Sequence, residues 1–130
     1  VKTIFFVCVH NAGRSQMAAG FLNASGSTTL TAESAGTIPT EKVNPVVVDA
    51  MKEKGIDISG NRPQILTQGM ADSAHQVITM GCSIEEACPA TFMLTEDWGL
   101  DDPAGQPMEE VKRIRDQIEQ KVKDLIEKET

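Results

Sequence analysis

The chain has no tyrosine, one tryptophan, four phenylalanines, two histidines and three cysteines in its 130 residues. It also lacks any excess of basic residues, since 12 Lys and Arg stand against 19 Asp and Glu for a formal charge of −7. Nucleic acids and anionic lipid surfaces are held by lysine and arginine that neutralise phosphates, so neither is an expected partner. No apolar run approaches the ~18 residues of a membrane-spanning helix. The short run Ile4 to Val9 passes straight into polar His10 and Asn11 and is too short for a secretory signal. A soluble, cytosolic, monomeric protein is expected. There is no internal repeat, linker or low-complexity tract, so residues 1–130 read as one domain. A domain of this size buries roughly two-thirds of its unfolded surface and folds without disulfides or a structural metal. Stability therefore does not account for the cysteines.

The negative excess is concentrated. Residues 1–60 carry five acids and five bases, and residues 109–130 carry seven acids and six bases. Residues 61–108 carry seven acids (Asp72, Glu85, Glu86, Glu96, Asp97, Asp101 and Asp102) against Arg62 alone.

Thr3-Ile4-Phe5-Phe6-Val7-Cys8-Val9 is an unbroken β-branched and aromatic run without alternation, the pattern of a strand buried on both faces of a parallel sheet. After the turn-like His10-Asn11-Ala12-Gly13, residues Arg14 to Ala24 place Met17, Ala18, Phe21 and Leu22 at helical spacing, and Ser25-Gly26-Ser27 ends the helix. Leu30 to Ser34 reads as a second strand, closed by Ala35-Gly36. Asn44 can cap a helix that has Pro45 at its first position and stops at Gly55. His75 to Met80 reads as a third strand and Thr91 to Thr95 as a weaker fourth. Pro107 to Lys128 is the clearest helix, with Val111, Ile114, Ile118, Val122, Leu125 and Ile126 on one stripe and the charges between Glu109 and Glu129 on a solvated face. The order β-α-β-α-β-β-α predicts an α/β fold: three layers, with a doubly wound parallel sheet of four strands between helices.

The chemistry concentrates where the first strand meets the first helix. Cys8-Val9-His10-Asn11-Ala12-Gly13-Arg14-Ser15 is a C-x5-R-S loop at the carboxyl edge of the sheet, where open α/β sheets bind ligands. Successive backbone N–H groups that run into a helix N-terminus hold a tetrahedral oxyanion, and a guanidinium supplies a bidentate fork for it. The cysteine then sits under the anion as a nucleophile. A helix dipole alone contributes about 0.3–1 kcal/mol to holding a thiolate, so the loop amides, Ser15 and Arg14 must share the task. A C-x5-R match arises by chance in roughly one such chain in ten, with Cys8 then a small buried hydrophobe. The strand-loop-helix placement and the following serine argue for the functional reading. His10 faces solvent from this loop, and His75 is structural.

Two further features lie downstream. Asp102-Pro103 is by itself a turn, but on a loop reaching back to the anion its carboxylic acid can protonate a departing oxygen. Cys82 and Cys88 lie in a polar loop with Ser83, Glu85 and Glu86, just past the third strand and therefore near the edge that holds Cys8. As zinc ligands they have only His10 and His75 to complete a site, and neither neighbours them in sequence. As core thiols they are badly placed. A redox relay with Cys8 is the better account, since Cα atoms within about 7 Å of one another can form a transient disulfide.

Cys8-x5-Arg14-Ser15, Cys82-x5-Cys88 and Trp98-Gly99-Leu100-Asp101-Asp102-Pro103-Ala104-Gly105 together resemble the arsenate reductases built on the low-molecular-weight tyrosine phosphatase fold. The resemblance covers essentially the whole chain and takes in Arg14-Ser15-Gln16-Met17-Ala18, Glu33-Ser34-Ala35-Gly36, Asn44-Pro45 and Gly55-Ile56-Asp57-Ile58-Ser59. It implies a single domain with a four-stranded parallel sheet that reduces arsenate to arsenite without a cofactor. Cys8 would attack arsenic while Val9, His10, Asn11, Ala12, Gly13, Arg14 and Ser15 hold the oxyanion. Asp102 would protonate the leaving hydroxyl. Cys82 would then attack Cys8 and expel arsenite, and Cys88 would attack Cys82, leaving a disulfide for thioredoxin, glutaredoxin or a small thiol. Two departures stand out. Relatives that bind potassium use an acidic residue where this chain has Ala19, and the acidic partner around Ser59 to Gln64 is also missing, so no metal site is expected. Position 13 is glycine where several relatives have a further cysteine.

A phosphotyrosine phosphatase is the runner-up, because loop and acid would serve either reaction. An aromatic substrate needs an aromatic or apolar wall, however, and the expected rim, Thr37 to Asn44, contains no aromatic residue. A phosphatase also has no use for Cys82 and Cys88. A non-catalytic oxyanion-binding or thiol-redox sensor is the third reading.

Overall fold

Strand β1 (Lys2–Cys8) is apolar on both faces because both are covered. Ile4, Phe6 and Cys8 belong to one buried cluster and Phe5 and Val7 to another. The computed structural model describes residues 2–8, 10–80, 95–101 and 103–129. In it β1 pairs in parallel with β2 (Leu30–Gly36) on one side and with β3 (Gln76–Thr79) on the other, and β4 (Thr95–Asp97) pairs in parallel with β3. The resulting four-stranded order is β2-β1-β3-β4. The chain winds from β1 to β2 in one direction and adds β3 and β4 in the other, so the winding reverses beside β1. Such a reversal opens a crevice at the carboxyl ends of the strands. Cys8 is the last residue of β1, level with Gly36 of β2.

Helices α1 (Arg14–Ala24), α2 (Pro45–Lys52) and α4 (Met108–Glu129) cover the Ile4, Phe6 and Cys8 face. Helix α1 starts and stops where its sequence pattern places it. The start of α2 is set by Asn44, whose side chain accepts from the Val46 N–H at 3.0 Å, with Pro45 next in line. Along α4 the stripe Val111, Ile114, Ile118, Val122 and Leu125 is buried throughout, and each such side chain contributes about 1.5–3 kcal/mol. Arg115 departs from the solvated face expected of the α4 charges. It is 4% exposed, and its Nη1 donates to Ala50 O (3.1 Å) and to the Glu53 carboxylate (3.0 Å), tying α4 to α2.

The opposite face carries a smaller cluster of Phe5, Val7, Ala35, Leu66 and Val77, with Met70 and Ala74 packed against it. Met70 sits on α3 (Gln68–Ser73), a short helix that the sequence pattern missed. Half of its six residues are polar, one is Gly69, and the helix is started locally by the Thr67 hydroxyl accepting from the Met70 N–H (3.2 Å). The described part of the fourth strand begins at Thr95, where the expected strand ends. Its ladder pairs Val77 with Thr95 and Thr79 with Asp97, and two acidic residues carry no strand signal. Trp98 follows, its N–H on Thr79 O (2.9 Å) and its ring centroid 5.5 Å from that of Phe6. That contact sets the course of the segment leading to Pro103. Among the described residues no helix is long and apolar enough to cross a membrane.

Candidate functional site

Between β1 and α1, four consecutive carbonyls turn away from the loop. His10 O accepts from Thr40 N (3.2 Å), Asn11 O from Gln16 Nε2 (3.1 Å), Ala12 O from Asn44 N (2.9 Å) and Gly13 O from Met17 N (3.0 Å). A trans peptide holds its N–H opposite its C=O, and the described residues contain no cis bond. The N–H groups of Asn11, Ala12 and Gly13 therefore face the inner side of the loop, and that of Arg14 points out of the helix N-terminus. This is a concave array suited to an anion.

Cys8 lies at the base of the loop, 5% exposed, with its sulfur 2.9 Å from Ser15 Oγ. The neighbours of Ser15 leave its hydroxyl able to donate to that sulfur. The Gln64 backbone N–H can only donate, and it donates to Asn11 Oδ1 at 2.9 Å, which fixes the Asn11 amide. Asn11 Nδ2 is then the atom that donates to Ser15 Oγ, at 2.8 Å. With one lone pair of Ser15 Oγ taken by Asn11, the hydroxyl can turn its proton to the Cys8 sulfur, the arrangement that a thiolate nucleophile needs. Asn11 itself has φ 52 and is fully buried. Among non-glycine residues, asparagine is one of the few that enter this left-handed region readily.

Arg14 is 7% exposed, and its Nη1 donates to Met80 O (2.6 Å) and Leu100 O (2.8 Å). Those carbonyls lie just past β3 and β4, so the guanidinium is anchored to the carboxyl edge of the sheet. Above the loop opens a cleft of about 310 Å³ whose lining includes Cys8, Ala12, Arg14, Lys42, Asn44 and Pro103. Among the described residues no phenyl or indole ring lines it, and its one aromatic group is the His10 imidazole. Pro103 brings the Asp-Pro segment back to the loop: a Cβ on residue 13 would stand 3.0 Å from Pro103 Cγ. Glycine at 13 is what allows this approach, and a cysteine there would push the proline away.

Cys8, Arg14, Ser15 and the loop residues His10, Asn11, Ala12 and Gly13 thus come together as expected. His10 is exposed, its Nδ1 3.0 Å from Ile38 O on the rim. His75 is remote, 3.0 Å from the Glu129 carboxylate. Val9, Cys82, Cys88 and Asp102 lie outside the described residues. Sequence reasoning missed the Asn11 side chain and, behind it, Gln16, Asn61 and Gln64. An asparagine two residues before Gly13 carried a signal, because it tolerates positive φ and bonds backbone groups. A buried glutamine in a helix carries none. Lys42 on the rim was also missed, one cation in a segment whose composition drew attention only to its lack of aromatics.

Comparison with known proteins agrees with this geometry. The family model described as low molecular weight phosphotyrosine protein phosphatase matches residues 3–129. An arsenate reductase of Staphylococcus aureus (strain Newman) is 40% identical over 119 residues, 90% of each chain. Arsenate reductase 2 of Staphylococcus saprophyticus is 40% identical over 124 residues, 94% of each chain. A solved structure of an arsenate reductase in the phosphate binding state superposes with a TM-score of 0.87 at 37% identity, covering 98% of both chains. An anion loop under a buried thiol, a four-stranded parallel sheet and likeness along nearly the full length all lead to one assignment: the chain belongs to the low molecular weight phosphotyrosine protein phosphatase family, close to its arsenate reductases.

Proposed function

We propose that this protein reduces arsenate to arsenite through a three-thiol relay of Cys8, Cys82 and Cys88. The observation that carries the proposal is the Cys8 sulfur, 2.9 Å from Ser15 Oγ beneath an array of inward N–H groups, in a chain 40% identical to arsenate reductases. In the first step the Cys8 thiolate bonds to arsenic, and an oxygen protonated by Asp102 leaves as water. The Cys82 thiolate then attacks the Cys8 sulfur. The S–As bond breaks with its electron pair left on arsenic, which falls from the +5 to the +3 state and departs as arsenite. Cys88 next displaces Cys8 from Cys82, and an external dithiol such as thioredoxin reduces the Cys82–Cys88 disulfide. Support for the geometry comes from Met80, the last described residue before the cysteine pair, whose N–H donates to Val7 O (2.9 Å) and so sits beside the end of β1.

The phosphatase reading shares the loop but not the wall. The cleft offers a small tetrahedral anion amides, Arg14 and Lys42, and among the described residues it offers an aryl group no phenyl or indole ring, only the His10 imidazole. The test is arsenite release with thioredoxin and its reductase, set beside hydrolysis of an aryl phosphate. Arsenate turnover by the parent, and a single burst of about one arsenite per enzyme by Cys88→Ser, is the expected result. Aryl-phosphate hydrolysis without arsenate turnover would make the chain a phosphatase, and anion binding without either reaction would leave a sensor.

A further inference from the structure

We propose that Gln16 is a positioning residue for anion capture, holding the Asn11–Ala12 peptide so that the Ala12 N–H faces the bound oxyanion. The proposal rests on the anion-binding reading of the loop and adds a residue to it. Gln16 lies in the first turn of α1 yet is 2% exposed. Its Nε2 donates to both oxygens of Asn11, the backbone O at 3.1 Å and Oδ1 at 3.3 Å. A backbone carbonyl can only accept, so the amide orientation is fixed, and Gln16 Oε1 accepts from Asn61 Nδ2 at 3.2 Å. Gln16 and Asn61 line a second cleft that shares no residue with the one lined by Cys8 and Ala12. The peptide is therefore oriented across the loop, carbonyl to one side and N–H to the other.

This peptide is held differently from its neighbours. The carbonyls of His10 and Ala12 are held by backbone N–H groups of Thr40 and Asn44, and that of Gly13 by the first turn of α1. Only the Asn11 carbonyl is held by a side chain. A peptide unit can rotate about its Cα–Cα axis through changes in ψ of Asn11 and φ of Ala12 alone. Rotation here would turn the carbonyl toward the anion and remove one N–H from the array. Gln16 biases the loop against that state. An anion selects the competent state too, so releasing the peptide lowers the fraction of loops ready to bind and raises the apparent dissociation constant in proportion. Saturating anion restores the competent loop, and kcat is retained.

The test replaces the donor without changing its shape. Gln16→Glu keeps an acceptor for Asn61 but sets a carboxylate against two Asn11 oxygens. Inorganic sulfate is the probe, because its charge is constant from pH 5 to 8. Near pH 8 sulfate should bind Gln16→Glu at least about tenfold more weakly than the parent, and Gln16→Met about threefold more weakly. KM for arsenate should rise in parallel while kcat stays within about twofold. Lowering the pH protonates the introduced carboxyl and recreates a donor, so the variant-to-parent ratio of sulfate Kd should fall toward one for Gln16→Glu and stay constant for Gln16→Met. A merely structural glutamine would lower Tm in both variants and leave the ratio for the uncharged Gln16→Met near one, since only Gln16→Glu adds a repulsion of its own. Sulfate binding by Gln16→Glu within twofold of the parent overturns the proposal, as does a parent that binds no sulfate. Should Gln16→Glu not fold, an unchanged sulfate Kd in Gln16→Met overturns it alone. A parent that binds sulfate and protects Cys8 from alkylation, yet reduces no arsenate, would sink the reductase reading and leave this one standing.

Discussion

Replacing Asn11 separates backbone strain from hydrogen bonding at the centre of the site. Its side chain donates to Ser15 Oγ (2.8 Å) and accepts from Gln64 N (2.9 Å), with a longer contact from Gln16 Nε2 (3.3 Å), all without solvent exposure. Truncation strands the Gln64 N–H, which costs about 1–3 kcal/mol, and loses the Ser15 bond, which costs about 1 kcal/mol more. The backbone distinguishes the two simplest truncations. At φ 52 an alanine carries about 1–2 kcal/mol of left-handed strain that glycine does not. Glycine's freer unfolded chain offsets about 0.4–1 kcal/mol of that advantage. Asn11→Gly should therefore lose about 2–4 kcal/mol, and Asn11→Ala about 0.5–1 kcal/mol more. Urea unfolding, with slopes checked for equality, measures both. Both variants should also alkylate more slowly at Cys8 with iodoacetamide, because Ser15 loses the Asn11 bond that holds its hydroxyl beside the sulfur. An alanine variant as stable as the glycine variant would refute the strain argument. Losses below about 1 kcal/mol in both would refute the buried network.

Cys8→Ser should abolish arsenate reduction, and more than a few per cent residual activity in a homogeneous preparation would remove Cys8 as nucleophile. Arg14→Lys replaces a planar group tied to Met80 O and Leu100 O with a point charge, so kcat/KM for arsenate should fall by about 10² or more; a change within threefold would contradict the role. Lys42→Gln should raise KM for arsenate several-fold at low salt, with kcat unchanged, and the difference should shrink as ionic strength rises; a salt-independent difference would count against a charge effect. Glu53 is held below its ordinary value of 4.5, chiefly by its hydrogen bond to Lys112 and next by that to Arg115. A carboxyl depressed on folding stabilises above its unfolded value and ceases to as pH falls through the folded one. The Tm gap between parent and Glu53→Gln should be open at neutral pH, begin to close below about 4.5, and vanish once the folded carboxyl is protonated; a gap that widens on acidification would reverse the sign.

What could be read from the residues in order is what local rules determine. Helix α1 falls on Arg14–Ala24 because Gly13 and the Ser25-Gly26 turn bracket a short apolar period, and the Cys8-to-Ser15 loop is eight adjacent residues whose chemistry is set by their spacing. The failures share a different cause. Helix α3 has no apolar stripe to betray it, and Arg115 is buried because Ala50 O on α2 and Glu53 just past its end wait 65 and 62 positions away. The same holds inside the site. Ser15, beside the Cys8 sulfur, is bonded by Asn11, which is oriented by Gln64 N, 53 residues distant, and Asn11 O is held by Gln16, which accepts in turn from Asn61, 45 residues distant. Hydrophobic periodicity reports which side of an element is buried, and it is blind to which polar group arrives there from elsewhere. The nucleophile and its anion loop are thus a local motif, while the segment from Asn61 to Gln64 acts on them across the fold. Substitutions in that segment should therefore alter Cys8 chemistry without touching the cleft, a consequence that follows from the hydrogen-bond directions and from no feature of the Cys8 motif itself.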